Sequence, residues 1–272
     1  MTQYAHETAF GSPVAAWNLT PETICESAAR LLFMNVRWAK SVPAFTALPP
    51  RDQIILLEES WRELFVLGAA QFMLPIEAGT LMAALGLSSS PYSSLASRKI
   101  CQSGTQQWQQ ILNYRLITGG GLCSVSTERQ LGLLSEIKTF QETVAKFKQM
   151  NVDATEYACL RAVILFKTCK FSFVFRLTSG SVTQRFPFDS TAAGLHDIPA
   201  AISLQDQAQL TLSRYVVTAY PTQQLRFGRL LLLLPALRAI AASTIEELFF
   251  RKTIGNIPIE RIISDMYKSG DL

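Results

Sequence analysis

Histidine is nearly missing from this chain. There are two, His6 and His196, and neither lies near a cysteine or in a helical pair. Zinc catalysis and Ser–His or Cys–His chemistry therefore lack their usual ligand and base. The GxSxG, HExxH and phosphate-loop patterns are also absent. Gly119-Gly120-Gly121 has no Lys-Ser/Thr after it, so it reads as a turn rather than a phosphate cradle. Glu58-Glu59 makes a poor catalytic pair, because neighbours on a helix point about 100° apart. On this inventory an enzyme is the weaker hypothesis.

Other shortages narrow the classes further. The five cysteines (Cys25, Cys101, Cys123, Cys159 and Cys169) are odd in number and show no CxxC spacing. That implies neither a disulfide framework nor a zinc module, but reduced thiols in a core. Charged residues make up only 17% of the chain, the net charge is +4, and no run concentrates it. A nucleic-acid surface within this segment is disfavoured. The longest apolar stretches, 64–76 and 230–237, fall short of the roughly 20 residues that span a bilayer, so they read as core helices. Asn18-Leu19-Thr20 matches a glycosylation sequon by chance, with no signal peptide beside it.

What the chain has is helical periodicity. Residues 1–19 show no period and read as a flexible tail. Thr20-Pro21-Glu22 is a start signal, with an N-cap hydroxyl, a first-turn proline and an acid behind it. Ile24, Ala28, Leu31, Leu32, Val36, Ala39 and Val42 follow at helical spacing as far as Pro43. The next helix opens at Pro50 and is apolar nearly all round, as in a helix at the middle of a protein. Helices are predicted over 98–117 and 127–150. Asp153-Ala154-Thr155-Glu156 is a capping box before Tyr157–Phe166. Phe171, Phe173, Phe175 and Leu177 alternate, the pattern of a short strand. Helices are predicted again over 202–219, over 222–252 interrupted or bent at Pro235, and over 258–268. There is no strand–helix alternation and no internal repeat. The expected fold is all-α, a three-layer antiparallel helical sandwich of roughly eight to ten helices, with at most a short β-hairpin.

Trp38-Ala39-Lys40, followed by Phe45, Leu48, Asp52-Gln53 and Leu56-Leu57, resembles the signature of the nuclear receptor ligand-binding domain. The likeness continues through 140–166 and 226–255 and ends in Ile257-Pro258-Ile259. The wording of ESAARLLFMNVRWAKSVPAF, WRELFVLG and SDMYKS is most similar to the tailless-type orphan receptors, relatives of the retinoid X receptor. The resemblance implies that 20–272 is the ligand-binding domain, without the family's first two helices. It makes 168–200 a mobile insertion and 258–268 the C-terminal activation-function helix. It further implies a nuclear protein whose DNA-binding domain, with its zinc, is absent from this chain. No cofactor and no membrane contact are expected within the chain.

By the same resemblance Phe33, Val36, Lys40, Phe45, Gln53, Ile54, Leu57 and Glu58 line a groove that takes a coregulator's amphipathic helix. A cation at Lys40 suits the unpaired carbonyls at a guest helix's C-terminal end. Asp265 matches the acid that caps the other end, although the family more often has Glu there. Glu58 stands where activating relatives often carry a base. Both departures weaken an activator-type clamp. The expected partner is a corepressor helix of the atrophin type. The alternative is a ligand-switched activator that recruits Leu-x-x-Leu-Leu coactivators.

Three further expectations follow. A ligand pocket bounded by Leu31, Leu32, Phe65, Ala69 and Phe72 is small or filled by side chains, and Phe72 and Met73 offer no charge to an acidic ligand. A homodimer forms through 222–252, with Arg226, Arg229 and Leu230 at the partner copy; burial inside the monomer is the other reading of that leucine run. The last helix carries Ile259, Ile262, Ile263, Met266 and Tyr267 on one face. Ile259-x-x-Ile262-Ile263 copies the spacing of coactivator helices, so this helix is expected to occupy its own groove. The other model makes it a lid over the pocket, with Asp265 completing the clamp.

Overall fold

A computed structural model describes residues 20–87, 125–168 and 194–269. The expected tail, the 98–117 helix, the glycine run at 119–121 and the strand at 171–177 lie outside them. The described elements are all helices. They are α1 (Pro21–Ser41), α2 (Pro43–Thr46), α3 (Pro50–Gln71), α4 (Ala78–Ala84), α5 (Val125–Gln149), α6 (Ala154–Leu165), α7 (Ile198–Ala219) and α8 (Arg226–Leu237). Then come α9 (Ala242–Ile245), a π-helical turn (Glu246–Phe250), α10 (Arg251–Ile254) and α11 (Ile259–Lys268).

The boundaries follow local chemistry. Thr20 caps α1 by accepting the Thr23 N–H, with Pro21 just inside. Asp153 and Glu156 form the full capping box of α6, with both bonds at 2.9 Å. Gly255, at φ +69 and ψ −130, turns the chain towards α11 through a conformation that a side chain would strain.

α3 is the central helix, with buried residues from Asp52 to Ala70 on nearly every side. It packs against α1, α5, α6, α8 and α11. α1 forms one outer layer, α3, α6 and α7 the middle, and α5 and α8 the other outer layer. Phe65 of α3 sits at the centre. Its ring centroid lies 5.5 Å from Phe249, 5.7 Å from Phe250 and 6.5 Å from Phe140. The wider π turn lets the neighbouring Phe249 and Phe250 both be buried.

The helical run expected over 222–252 is interrupted just after Pro235, as its proline predicts. α8 ends two residues after Pro235, and the chain resumes from Ala242 at an angle of 72°. Among the described residues no single helix is long and apolar enough to cross a membrane, and this bent pair is apolar because it packs into the core. α7 begins at Ile198, inside the span expected to be a mobile insertion, and the described end of that span is anchored. Asp52, almost fully buried, accepts the backbone N–H groups of His196 at 2.8 Å and Asp197 at 2.7 Å.

Candidate functional site

The site lies where α1, α2 and α3 meet α11. The apolar side of α1 brings Val36 and Ala39 into the core and leaves Lys40 at the rim. Pro43 stops α1, and Pro50 starts α3 close by. Gln53 holds the turn between them: its amide donates to the carbonyls of Thr46 at 3.0 Å and Leu48 at 2.6 Å.

α11 lies in this corner and is held at both ends. Lys40 Nζ donates to the carbonyl oxygens of Ser269 at 3.1 Å and Met266 at 3.5 Å, at the end of α11 where carbonyls run out of intrahelical N–H partners; the Met266 carbonyl also accepts the Ser269 hydroxyl at 3.1 Å. The same ammonium lies 5.2 Å from the Tyr267 ring centroid. Tyr267 packs edge-on against Phe45 at 6.0 Å and donates its hydroxyl hydrogen bond to Gln53 Oε1. At the other end Glu246 of the π turn accepts the Ile259 N–H at 3.2 Å. Trp61 Nε1 donates to Glu260 Oε1 at 2.8 Å. Ile259, Ile263 and Met266 are buried, and Ile262 and Tyr267 are partly buried.

These contacts shift the register of the sequence reading and add an acid to it. Lys40 caps carbonyls one turn beyond Ile263. The i, i+3, i+4 set at the capped end is therefore Ile263-x-x-Met266-Tyr267, whereas Ile259-x-x-Ile262-Ile263 lies further from Lys40. At the tail's own amide end the acid is Glu246, and Asp265, the acid expected to cap a guest helix, is exposed on α11. Glu246 escaped notice because it lies thirteen residues upstream of Ile259 and reaches it only through the π turn.

The other expected groove residues divide. Val36, Phe45, Gln53 and Leu57 are buried, Ile54 and Glu58 are half-buried, and Phe33 is 47% exposed. Burial, then the nearby Glu260 carboxylate, pushes the Glu58 carboxyl above its ordinary range, while Lys268 pulls the other way.

In the expected pocket Leu31, Leu32, Phe65 and Ala69 are buried and Phe72 is half-buried. Met73 faces solvent at 61% exposure, because the chain turns there at φ +53. A charge does reach Phe72, from α6: the Arg161 guanidinium lies 5.6 Å from both the Phe72 and the Trp38 rings and donates to Gln71 Oε1. An open depression lined by Pro199, Ile202 and Leu210 lies along α7, not beneath α1.

Two of the three expected dimer residues point inward. Arg226 is buried in an ion pair with Glu156, and Leu230 is fully buried inside the chain, so neither is open to a partner copy. Arg229 is exposed, and Leu232 is the exposed leucine of the run.

A layered helical domain that holds an amphipathic helix between a lysine and an acid is a helix-in-groove binding domain. This chain belongs to the family described as the ligand-binding domain of nuclear hormone receptor, whose pattern matches residues 17–254. It is 39% identical over 249 residues to nuclear receptor subfamily 2 group F member 6 of Mus musculus, covering 92% of this chain and 50% of that protein. It is 38% identical to the Homo sapiens protein of the same name, over 96% of this chain and 51% of that protein. With group F member 5 of Danio rerio it shares 38% identity over 92% of this chain and 48% of the relative. The chain thus spans about half the length of the curated relatives it matches. These relatives bear out the nuclear receptor resemblance and its retinoid X receptor-like group; their names are those of group F, not of the tailless type. The family is one of receptors, not of enzymes.

Proposed function

We propose that the chain is the ligand-binding half of an orphan nuclear receptor that represses transcription in the nucleus, with its coregulator groove closed by its own C-terminal helix. The observation that carries this reading is the Lys40 ammonium on the last carbonyls of α11. A lysine in that place is the group that grips a guest helix's C-terminal end, and here the guest is the chain's own tail. The tether is short, so α11 competes with any external helix at an effective concentration near millimolar.

A corepressor helix of the atrophin type binds beside the docked tail. Phe33, two turns before Lys40 on the same face of α1, is a large exposed side chain available to it. The Phe65, Phe140, Phe249 and Phe250 rings pack on one another in the core, which supports a receptor that represses without a ligand. DNA recognition, with its zinc, belongs to a domain outside this chain, and the receptor pairs with a second copy. The likeness to the tailless type is part of this proposal.

The test is removal of residues 258–272. Binding of a Leu-x-x-Leu-Leu peptide rises at least tenfold if α11 blocks the groove. A fall in that binding would mean that Asp265 is half of the clamp, and would return the reading to a ligand-switched activator.

A further inference from the structure

We infer that the groove selects a longer and more specific guest than a bare Leu-x-x-Leu-Leu helix: a three-turn amphipathic helix with a carboxylate in its first turn and a tyrosine in its last. This rests on the proposed closure of the groove by α11, because the tail serves as the template. Two polar contacts of α11 are made by side chains that an apolar i, i+3, i+4 set does not use. Trp61 Nε1 donates to Glu260, three residues before Ile263, at 2.8 Å. The Tyr267 hydroxyl donates to Gln53 Oε1, with its ring set edge-on to Phe45 and beside Lys40. The selected pattern is therefore Glu-x-x-Φ-x-x-Φ-Tyr, where Φ is apolar, read here as Glu260, Ile263, Met266 and Tyr267.

Both selecting groups are fixed in place. Trp61 is buried to its indole edge in the middle of α3, and the Gln53 amide nitrogen is committed to two carbonyls, which leaves Oε1 to face the guest. A guest with alanine for the glutamate strands the indole N–H, and one with phenylalanine for the tyrosine strands the amide oxygen. Charge does not drive the first preference. Glu58 repels an acid at that place, so the indole hydrogen bond selects against the local field.

The test uses synthetic peptides with the sequence of residues 257–269 and their Glu→Ala and Tyr→Phe forms. The receptor is the full chain carrying I263A and M266A in the tail, which leaves every groove residue intact. Each peptide change weakens binding by roughly threefold to tenfold. Trp61→Phe in the groove brings the glutamate and alanine peptides to the same affinity, and Glu58→Gln widens the gap between them. Equal affinities for all three peptides overturn the proposed selectivity and leave the closed groove standing. If no peptide binds the tail variant more tightly than it binds the unaltered chain, the closed groove itself fails. The unaltered chain at high peptide concentration gives the same ranking without relying on the variant's stability.

Discussion

Arg226 and Glu156 form a two-pronged pair in the interior, with Arg226 Nε 2.5 Å from Oε1 and Nη2 2.6 Å from Oε2 of the carboxylate. The guanidinium also donates to the carbonyls of Met150 at 3.2 Å and Asn151 at 3.0 Å, and it stacks 4.0 Å from the Tyr220 ring. One side chain thus ties α8 to the start of α6 and to the turn before it. Replacing either partner alone leaves a buried charge without its counterion. Arg226→Ala and Glu156→Ala each cost about 3–5 kcal/mol in urea unfolding. The Arg226→Met, Glu156→Leu double variant loses less than either single alanine change. A double variant as unstable as the sum of the two singles would contradict this.

The same pair marks where the sequence was legible. Caps, prolines and apolar spacing are local, so α1, α3, α6 and α11 could be placed from residues alone, and all-round apolarity marked α3 as central. Sequence places Arg226 on a dimer surface because its partner lies seventy residues away, and a buried ion pair has no local pattern. The Glu246 cap and the Arg161 guanidinium over Phe72 were missed for the same reason. Lys40 differs: its neighbours in the signature are local, so a groove around it is legible from sequence, and its ammonium lies on the last carbonyls of α11.

Asn35 offers a stability test. It is 6% exposed in the α1–α3 seam, and its amide nitrogen has no hydrogen-bond partner among the described residues. A methyl added at Gly68 opposite would stand 3.9 Å from that nitrogen, so the seam has slack beside it. Asn35→Leu removes a buried unsatisfied donor and adds apolar contact, which stabilises by about 1–2 kcal/mol. For a domain of this size the midpoint temperature rises by roughly 2–6 °C in calorimetry. A lower midpoint would show that the amide makes a contact worth more than the packing.

The two ends of α11 separate docking from clamping. Glu246→Ala removes only the tail's N-terminal cap, worth about 0.5–2 kcal/mol. Amide exchange across 259–268 then speeds up several-fold, and external peptide binding rises. Lys40→Ala also frees the tail, but it removes the group that grips an external helix. Exchange speeds up while peptide binding does not rise. If both variants admit peptide equally, Lys40 is no part of the clamp.

Glu58 makes tail docking depend on pH. Its carboxyl is raised, first by burial and then by Glu260, with Glu59 adding and Lys268 opposing. A carboxyl whose pKa rises on docking binds its proton more tightly in the docked state. Docking is therefore strongest below the ordinary glutamate range near pH 4.3, and it weakens as pH rises through the raised value. The groove opens on the alkaline side of that window and closes on the acid side. Glu58→Gln takes the repelling charge away at every pH. It slows amide exchange in 259–268 at pH 7, and with exchange corrected for its intrinsic pH dependence, it flattens the profile from the ordinary glutamate range upward. The opposite slope in the unaltered chain, with docking strengthening as pH rises, would mean that attraction to Lys268 outweighs burial and the Glu260 carboxylate. Glu58 would then hold the tail in place rather than loosen it.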